Sequence, residues 1–215
     1  MQVEIWSDIV CPWCYIGKRR FEAALAAFDG RDDVSVRYRS FELAPDQVAD
    51  IDQPLAEMLA SKLGVSLEQA RAMNERVTTI AAEEGLIYQL DRARPANTFD
   101  AHRVTHLAAE AGIQDAVVER LHAGYFNEGA QIGDRDVLSH LASEAGLVSE
   151  IVRSTLDSGR FTEEVRADEA LARQLGISGV PFFVFDRRYG VSGAQGVHVL
   201  LATLERAARE VVLSN

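Results

Sequence analysis

Both cysteines of this 215-residue chain fall in one tetrad, Cys11-Pro12-Trp13-Cys14, within the stretch IWSDIVCPWCYIGKRRFEAAL. The residues around the tetrad restrict what this end of the chain can become. Val3, Ile5 and Ser7 alternate with Gln2, Glu4 and Trp6, which predicts a strand over roughly 2–9. Phe21, Leu25 and Phe28 recur at helical spacing ahead of Asp29-Gly30, which predicts a helix over about 12–29. Pro12 suits the first turn of that helix, where an N–H has no intrahelical acceptor. The pair therefore stands where a strand hands over to a helix.

Val34, Val36 and Tyr38 alternate next and predict a second strand at about 33–42. The result is a β-α-β unit whose crossover is expected to be right-handed. From about 52 to 176 the text has helical spacing. SLEQARAMNERVTTIAAEEG is one helix ended by Gly85, and NTFDAHRVTHLAAEAG is another, capped by Asn97 or Thr98 and stopped by Gly112. Two or three more run through Gly146 and Gly159, and a last one reaches Gly176. LIYQLDRARPA between them reads as an irregular connector. FFVFDRRYGVSG then predicts a hairpin, with strands at 182–185 and 189–192 around a turn at 186–188. Val199, Leu200, Leu204 and Val211 mark a final amphipathic helix. The order β-α-β, helical block, β-β-α is the outline of an α/β thioredoxin fold with an all-helical insertion. The expected division is a discontinuous thioredoxin-like domain over 1–48 and 177–215, and a helical insertion over 49–176.

A net charge of -11 repels a phosphate backbone, so nucleic acid is not an expected partner. No apolar run is long enough to cross a bilayer. MQVEIWSDIV lacks the basic start and apolar middle of a signal peptide, so a cytoplasmic location is expected. Structural disulfides are rare there. The cysteines are then catalytic or metal-binding before they are a staple.

A closed zinc site wants four ligands. His102 and His106, at i and i+4 with Glu110 below, would complete one only if their helix packed over the Cys11 loop. The plainer reading is a semi-polar helix face lining a cleft, and no metal is expected. The redox reading uses the junction itself. A thiolate attacks and a thiol does not, and the unpaired N–H groups and dipole of a helix start favour negative charge at Cys11. Cys14, one turn on, can close on Cys11 to resolve a mixed disulfide. Asp8 reads as a turn or capping residue, with a local proton acceptor as the second reading. Lys18, Arg19 and Arg20 read as a solvated helix face. Trp6 and Tyr15 read as packing groups, and Trp13 as exposed. His122, His140 and His198 show no partner pattern.

GISGVPFF, residues 176–183, supplies a second signal. Pro181 cannot donate to a sheet ladder and belongs at a strand's beginning. Spacing alone leaves its peptide bond cis or trans. Together with the tetrad, this loop resembles the thioredoxin superfamily, and within it the DsbA-like branch. SDIVCPWCYIGK, SFELAPD, NTFDAHR, YFNEGAQIGDRDVL, LGISGVPFFVF and YGVSGAQ resemble the FrnE-like subgroup of dithiol-disulfide oxidoreductases or isomerases, from residue 3 to about 205.

The resemblance implies that Cys11 is the nucleophile and Cys14 the resolving thiol. Val180 and a cis Pro181 would present a backbone edge to substrate, alongside Pro12 and Trp13. Asn97, Phe99 and His102 would wall the cleft, and Gly193, Ala194 and Gln195 would open the last helix beside it. Protein or small-molecule thiols and disulfides are the implied partners, with glutathione as a candidate co-substrate and no other cofactor. The chain is expected to be a monomer or homodimer. Sister branches that isomerise hydroxychromene carboxylates carry Ser at the first cysteine position. Some FrnE-like proteins have further cysteines near the C-terminus, which this chain lacks. Two alternatives stay open: a glutathione-dependent isomerase of a small aromatic or polyketide substrate, and a redox-silent, chaperone-like binding protein.

Overall fold

The computed structural model describes residues 1–47 and 53–213, with side chains described up to residue 209. The expected domain boundary at 48/49 and the side chain of Val211 lie outside these residues.

Strand β1 (Gln2–Ser7), helix α1 (Pro12–Ala27) and strand β2 (Ser35–Ser40) form the opening unit, with a 3-10 turn at Arg31–Asp33 before β2. Both strands are shorter than their apolar patterns suggested. β1 stops at Ser7 because Asp8 turns the chain toward the helix, where the Cys11 N–H bonds the Asp8 carbonyl. Helices α2 (Leu55–Leu63), α3 (Leu67–Glu83), α4 (Phe99–Glu110), α5 (Gln114–Ala123), α6 (Arg135–Glu144), α7 (Ser149–Asp157) and α8 (Thr162–Gln174) follow. Ser66 and Gln69 form a reciprocal capping box at the start of α3. Residues 86–96 are irregular, as their composition implied. Strands β3 (Phe182–Phe185) and β4 (Tyr189–Ser192) make the hairpin, and α9 (Val197–Leu213) ends the fold.

The sheet order is β2-β1-β3-β4, with β1 and β2 parallel and the other pairs antiparallel. This is a thioredoxin-type sheet with helices inserted between β2 and β3. On β2 the Tyr38 backbone is capped by a side-chain amide, Gln114 accepting from the Tyr38 N–H at 2.9 Å and donating to the Tyr38 carbonyl at 3.0 Å, and the Asp168 carboxylate takes the Ser40 N–H at 3.0 Å. An exposed edge would invite pairing with another chain, and these side chains occupy it at Tyr38 and Ser40.

Three apolar clusters result among the described residues, the smallest being Trp6 with Ala172, Ile177 and Val184 on the other face of the sheet's β1–β3 pair; the two larger ones meet at α1. Of these two, one joins Val3, Ile5, Phe183 and Phe185 of the sheet to Phe21 of α1 and Leu200 and Leu204 of α9. The other fills the helical insert and reaches Ile9, Tyr15 and Ile16, so the helix that carries the cysteines is packed against both.

One sequence-based reading is overturned here. Lys18 is not on a solvated face: its side chain is 2% exposed and lies 3.1 Å from Asp115 and 3.0 Å from Glu119, with Glu22 also bound. Arg19 pairs with Glu119 and Glu22, and Arg20 with Glu84. Burial would lower the Lys18 pKa, but the bond to Glu22 and the charges of Asp115 and Glu119 outweigh it and raise it. Burial works against Glu119 too, yet Arg19 and its neighbours hold that carboxyl down at about 2. The basic run braces the insert against α1. Glu22 is a local partner, but Asp115 and Glu119 lie about a hundred residues away in sequence and Glu84 lies 64 away, so no local pattern announces them.

Candidate active site

Cys11 is the N-cap of α1, in extended conformation, with no side-chain cap bond of its own. Pro12 takes the first helical position. The Cys14 N–H bonds the Cys11 carbonyl at 3.0 Å, which tightens the turn and brings the two side chains within interaction range. Both are free thiols, and Cys11 is only 4% exposed. Trp13 between them is 41% exposed, as expected.

The Val180–Pro181 peptide is cis. The Cys11 sulfur lies 3.6 Å from the Val180 carbonyl oxygen. The fit behind this loop is tight: a Cβ on Gly17 of α1 would stand 2.9 Å from the Pro181 ring, so only glycine lets helix and loop approach this closely. The Pro181 carbonyl accepts from the Gly193 N–H at 2.8 Å.

Cys14 is sealed. Burial, reinforced by the adjacent Cys11, pushes its pKa well up. Its sulfur accepts from the Asp8 N–H at 3.5 Å. The Asp8 carboxylate is fully buried; its Oδ2 takes the Leu43 N–H at 2.8 Å, while Oδ1 lies 3.4 Å from His102 Nε2, close enough for an ion pair but too poorly aligned for a hydrogen bond. Burial would lower the His102 pKa, but Asp8 foremost, then Glu42 and Glu169, raise it. Burial raises the Glu42 pKa, and the pull of Arg166 only partly offsets that.

The other site residues read from the sequence divide into two groups. Asn97 is committed to structure: its amide donates to the Pro45 and Gln47 carbonyls, and its Oδ1 accepts from the Phe99 N–H. Phe99 lies beneath the Arg166 guanidinium at 4.4 Å. His102 is buried behind the cysteines, where Asp8 draws it, and is not a cleft wall. Gly193, Ala194 and Gln195 form the turn before α9, with Gly193 at φ +79 and the Ala194 carbonyl accepting from Arg20 at 2.6 Å. His102 and His106 face different carboxylates, and among the described residues no three His, Cys, Asp or Glu side chains converge as a metal site.

Sequence reasoning missed Tyr88 and His122. Tyr88, in the irregular connector, donates from its hydroxyl to the Pro12 carbonyl at 2.7 Å. His122 Nδ1 lies 3.1 Å from the Ile9 carbonyl; since a carbonyl only accepts, Nδ1 carries the proton. The ring stacks on Tyr15 at 5.0 Å, and burial lowers its pKa to about 4. A five-residue π turn, Gly124–Glu128, carries Phe126 against Tyr88 at 4.5 Å. No local signal marks either residue, because Tyr88 meets Pro12, and His122 meets Ile9 and Tyr15, only through long-range packing. Beside Pro12 a cavity of about 270 Å³ is walled mainly by apolar side chains, including Val10, Leu55, Leu59, Leu90 and Phe126.

Comparison with known proteins agrees with this geometry. Residues 2–205 match the model of the DSBA-like thioredoxin domain. A probable DsbA oxidoreductase from Streptomyces coelicolor is 49% identical, with 98% of this chain and 91% of that chain covered and a TM-score of 0.93. The cytosolic disulfide reductase DsbM from Pseudomonas aeruginosa, solved with GSH, is 21% identical over 97% of this chain and 100% of its own, with a TM-score of 0.68. A 2-hydroxychromene-2-carboxylate isomerase is 19% identical over 100% of both chains, with a TM-score of 0.71. No helix among the described residues is long and apolar enough to cross a membrane. The chain belongs to the DsbA-like thioredoxin-domain family.

Proposed function

We propose that this protein is a thiol-disulfide oxidoreductase in which Cys11 attacks and Cys14 resolves. The observation that carries the reading is the asymmetry of the pair. Cys11 sits uncapped at a helix start under the Val180 carbonyl, while Cys14 is sealed and kept as a thiol by burial. The Cys11 thiolate attacks a substrate disulfide; its S–S bond breaks, a Cys11–substrate disulfide forms, and the first substrate thiolate leaves and takes a proton. Cys14 then gives up its proton, with the Asp8 carboxylate as acceptor, and attacks the Cys11 sulfur. The Cys11–Cys14 disulfide forms and the second substrate thiol departs. The substrate gains two electrons and the pair loses them. Two glutathione thiols restore the pair and leave as glutathione disulfide. The reverse sequence oxidises a substrate dithiol, and the direction follows the pair's potential against its surroundings. No organic cofactor or metal takes part.

The likeness to DsbM supports both glutathione as the recharging thiol and a cytoplasmic location. Val180 and Pro181 offer the backbone edge for substrate, and Trp13 offers an exposed apolar contact. The apolar cavity beside Pro12 favours a second reading, a glutathione-dependent isomerase of a small apolar substrate. Replacing Cys14 separates the two. In Cys14→Ser exposed to glutathione disulfide, a single glutathione adduct on Cys11 is expected to accumulate by mass spectrometry, while the wild type passes on to the Cys11–Cys14 disulfide. Failure of Cys11 to form the adduct removes the oxidoreductase reading. Glutathione-dependent turnover of an apolar substrate that survives Cys14→Ser would favour the isomerase.

A further inference from the structure

The tetrad belongs to the thioredoxin-like part of the fold, yet Tyr88, a residue of the helical insert, touches its backbone. Tyr88 is held firmly. Its ring stacks on Phe126 at 4.5 Å and on Tyr15 at 6.2 Å, and the next residue's N–H bonds the Phe126 carbonyl at 2.7 Å. The hydroxyl projects from this stack and donates to the Pro12 carbonyl at 2.7 Å.

That carbonyl is one half of the peptide unit whose other half is the Trp13 N–H. Cys11 is the N-cap, and the side chain at an N-cap accepts from the N–H of the second or third helical residue, here Trp13 or Cys14. The Cys14 N–H is already taken by the Cys11 carbonyl at 3.0 Å. The Trp13 N–H is therefore the donor that a Cys11 thiolate would recruit. A donor placed on the far side of a peptide unit polarises it and strengthens its N–H, since hydrogen bonds in series reinforce one another. We propose that Tyr88 is a positioning residue of the helical insert which, by donating to the Pro12 carbonyl, strengthens the Trp13 N–H as the cap of the Cys11 thiolate.

The proposal rests on the reading of Cys11 as the nucleophile. Tyr88 is suited to the task because burial foremost, then the nearby sulfurs, raise its phenol's pKa and keep it a neutral donor. The other ionisable groups around the turn are Asp8 in the loop before it, Cys14, Tyr15 and Arg19 on α1, His102 on α4 and His122 on α5. Among the hydrogen bonds of the described residues, His122 reaches Ile9, outside the tetrad, whereas Tyr88 reaches Pro12 within it.

The test is the pH profile of Cys11 alkylation by iodoacetamide in the reduced full-length protein, read by mass spectrometry. Tyr88→Phe keeps the ring and removes the donor. Its rate at pH 6 is expected to fall about threefold, a fraction of one neutral hydrogen bond, while the plateau rate at high pH stays at the wild-type value. Tyr125→Phe is the control: that hydroxyl lies in the same core but donates to the Arg94 carbonyl at 3.0 Å and not to the tetrad backbone. It should leave the profile in place. Should Tyr88→Phe fold poorly, 3-fluorotyrosine at position 88 keeps the shape and strengthens the donor, and the pH 6 rate should rise. A Tyr88→Phe profile that superimposes on the wild type, or that moves no further than Tyr125→Phe, overturns the proposal. An unreactive Cys11 in the wild type would instead sink the reading on which it rests.

Discussion

Two histidines one turn apart on α4 face two buried aspartates, and the outcomes differ. His106 Nε2 lies 3.0 Å from Asp168 Oδ2 and 3.1 Å from the Ser40 hydroxyl. Asp168 also takes a 2.7 Å bond from Arg39 and the Ser40 N–H at 3.0 Å, and Arg39 is paired in turn with Glu4. Burial works against the Asp168 charge, but His106, Ser40 and Arg39 outweigh it and lower the pKa. Around His102 the accounting does not close. Asp8 Oδ1, His102 Nε2 and Glu42 Oε1 are all buried without a hydrogen-bond partner. Buried polar atoms are ordinarily paired, and exceptions ask for a reason. The first cluster does what folding requires, tying β1, β2, α4 and α8 together. The second lies behind Cys14, the one group of the proposed mechanism that must shed a proton while sealed from water. Unpaired buried atoms also occur elsewhere, at Arg37 Nε and His122 Nε2 among others, and what distinguishes this set is that Asp8 belongs to it and its backbone N–H contacts the Cys14 sulfur.

The comparison breaks most readily at the two aspartates. Asp168→Asn removes the charge that Arg39 and His106 share, and breaking one side of a buried pair costs roughly 3–5 kcal/mol. Denaturant unfolding should show that loss, with exchange in the protein that remains folded unaffected. Asp8→Asn should cost less stability but slow the closure of Cys14 on the mixed disulfide by roughly a hundredfold, the lower range for a lost general base. Stopped-flow formation of the Cys11–Cys14 disulfide distinguishes the two. If both variants lose only stability, the clusters are the same kind of object.

A smaller effect comes from pH. His122 takes its proton at about 4 in the fold against 6.5 as the ordinary value. Between those values the unfolded chain holds a proton that the fold does not, so stability rises with pH and is lost on acidification, on the order of 3 kcal/mol from pH 7 to 4. Glu119, held at about 2, contributes stability that is present above about 4.5 and disappears as the pH falls toward 2. His102 has the opposite sign: its contribution is complete below 6.5 and lost as the pH rises through its raised folded value. Urea midpoints should therefore drop between pH 7 and 4, and His122→Gln should flatten most of that slope.

Much of the thioredoxin-like part was legible because its signals are local. Alternation gave β1, β2 and the hairpin, and in the insert glycines marked the ends of α4 and α8. The tetrad and GISGVPFF located the two sides of the site. What was not legible is long-range. Lys18 looked solvated because Asp115 and Glu119 are far off in sequence, and His122 looked idle because its partner is the Ile9 backbone. His102 was singled out, but as a cleft wall and not as the buried partner of Asp8. Helical periodicity orients a side chain toward the core without saying which element fills the space opposite. Tyr88 sat in a connector whose irregular backbone offers no periodicity to read.

The central claim is that Cys11 and Cys14 act as one two-electron couple. It is tested most directly by equilibrating the wild-type protein in glutathione buffers of graded ratio, then quenching with acid and reading the cysteine state by mass spectrometry. The account predicts a reversible two-electron transition between dithiol and intramolecular disulfide at a single buffer potential, absent in Cys11→Ser. Cysteines that remain reduced, or carry only glutathione adducts, across the whole range would contradict it.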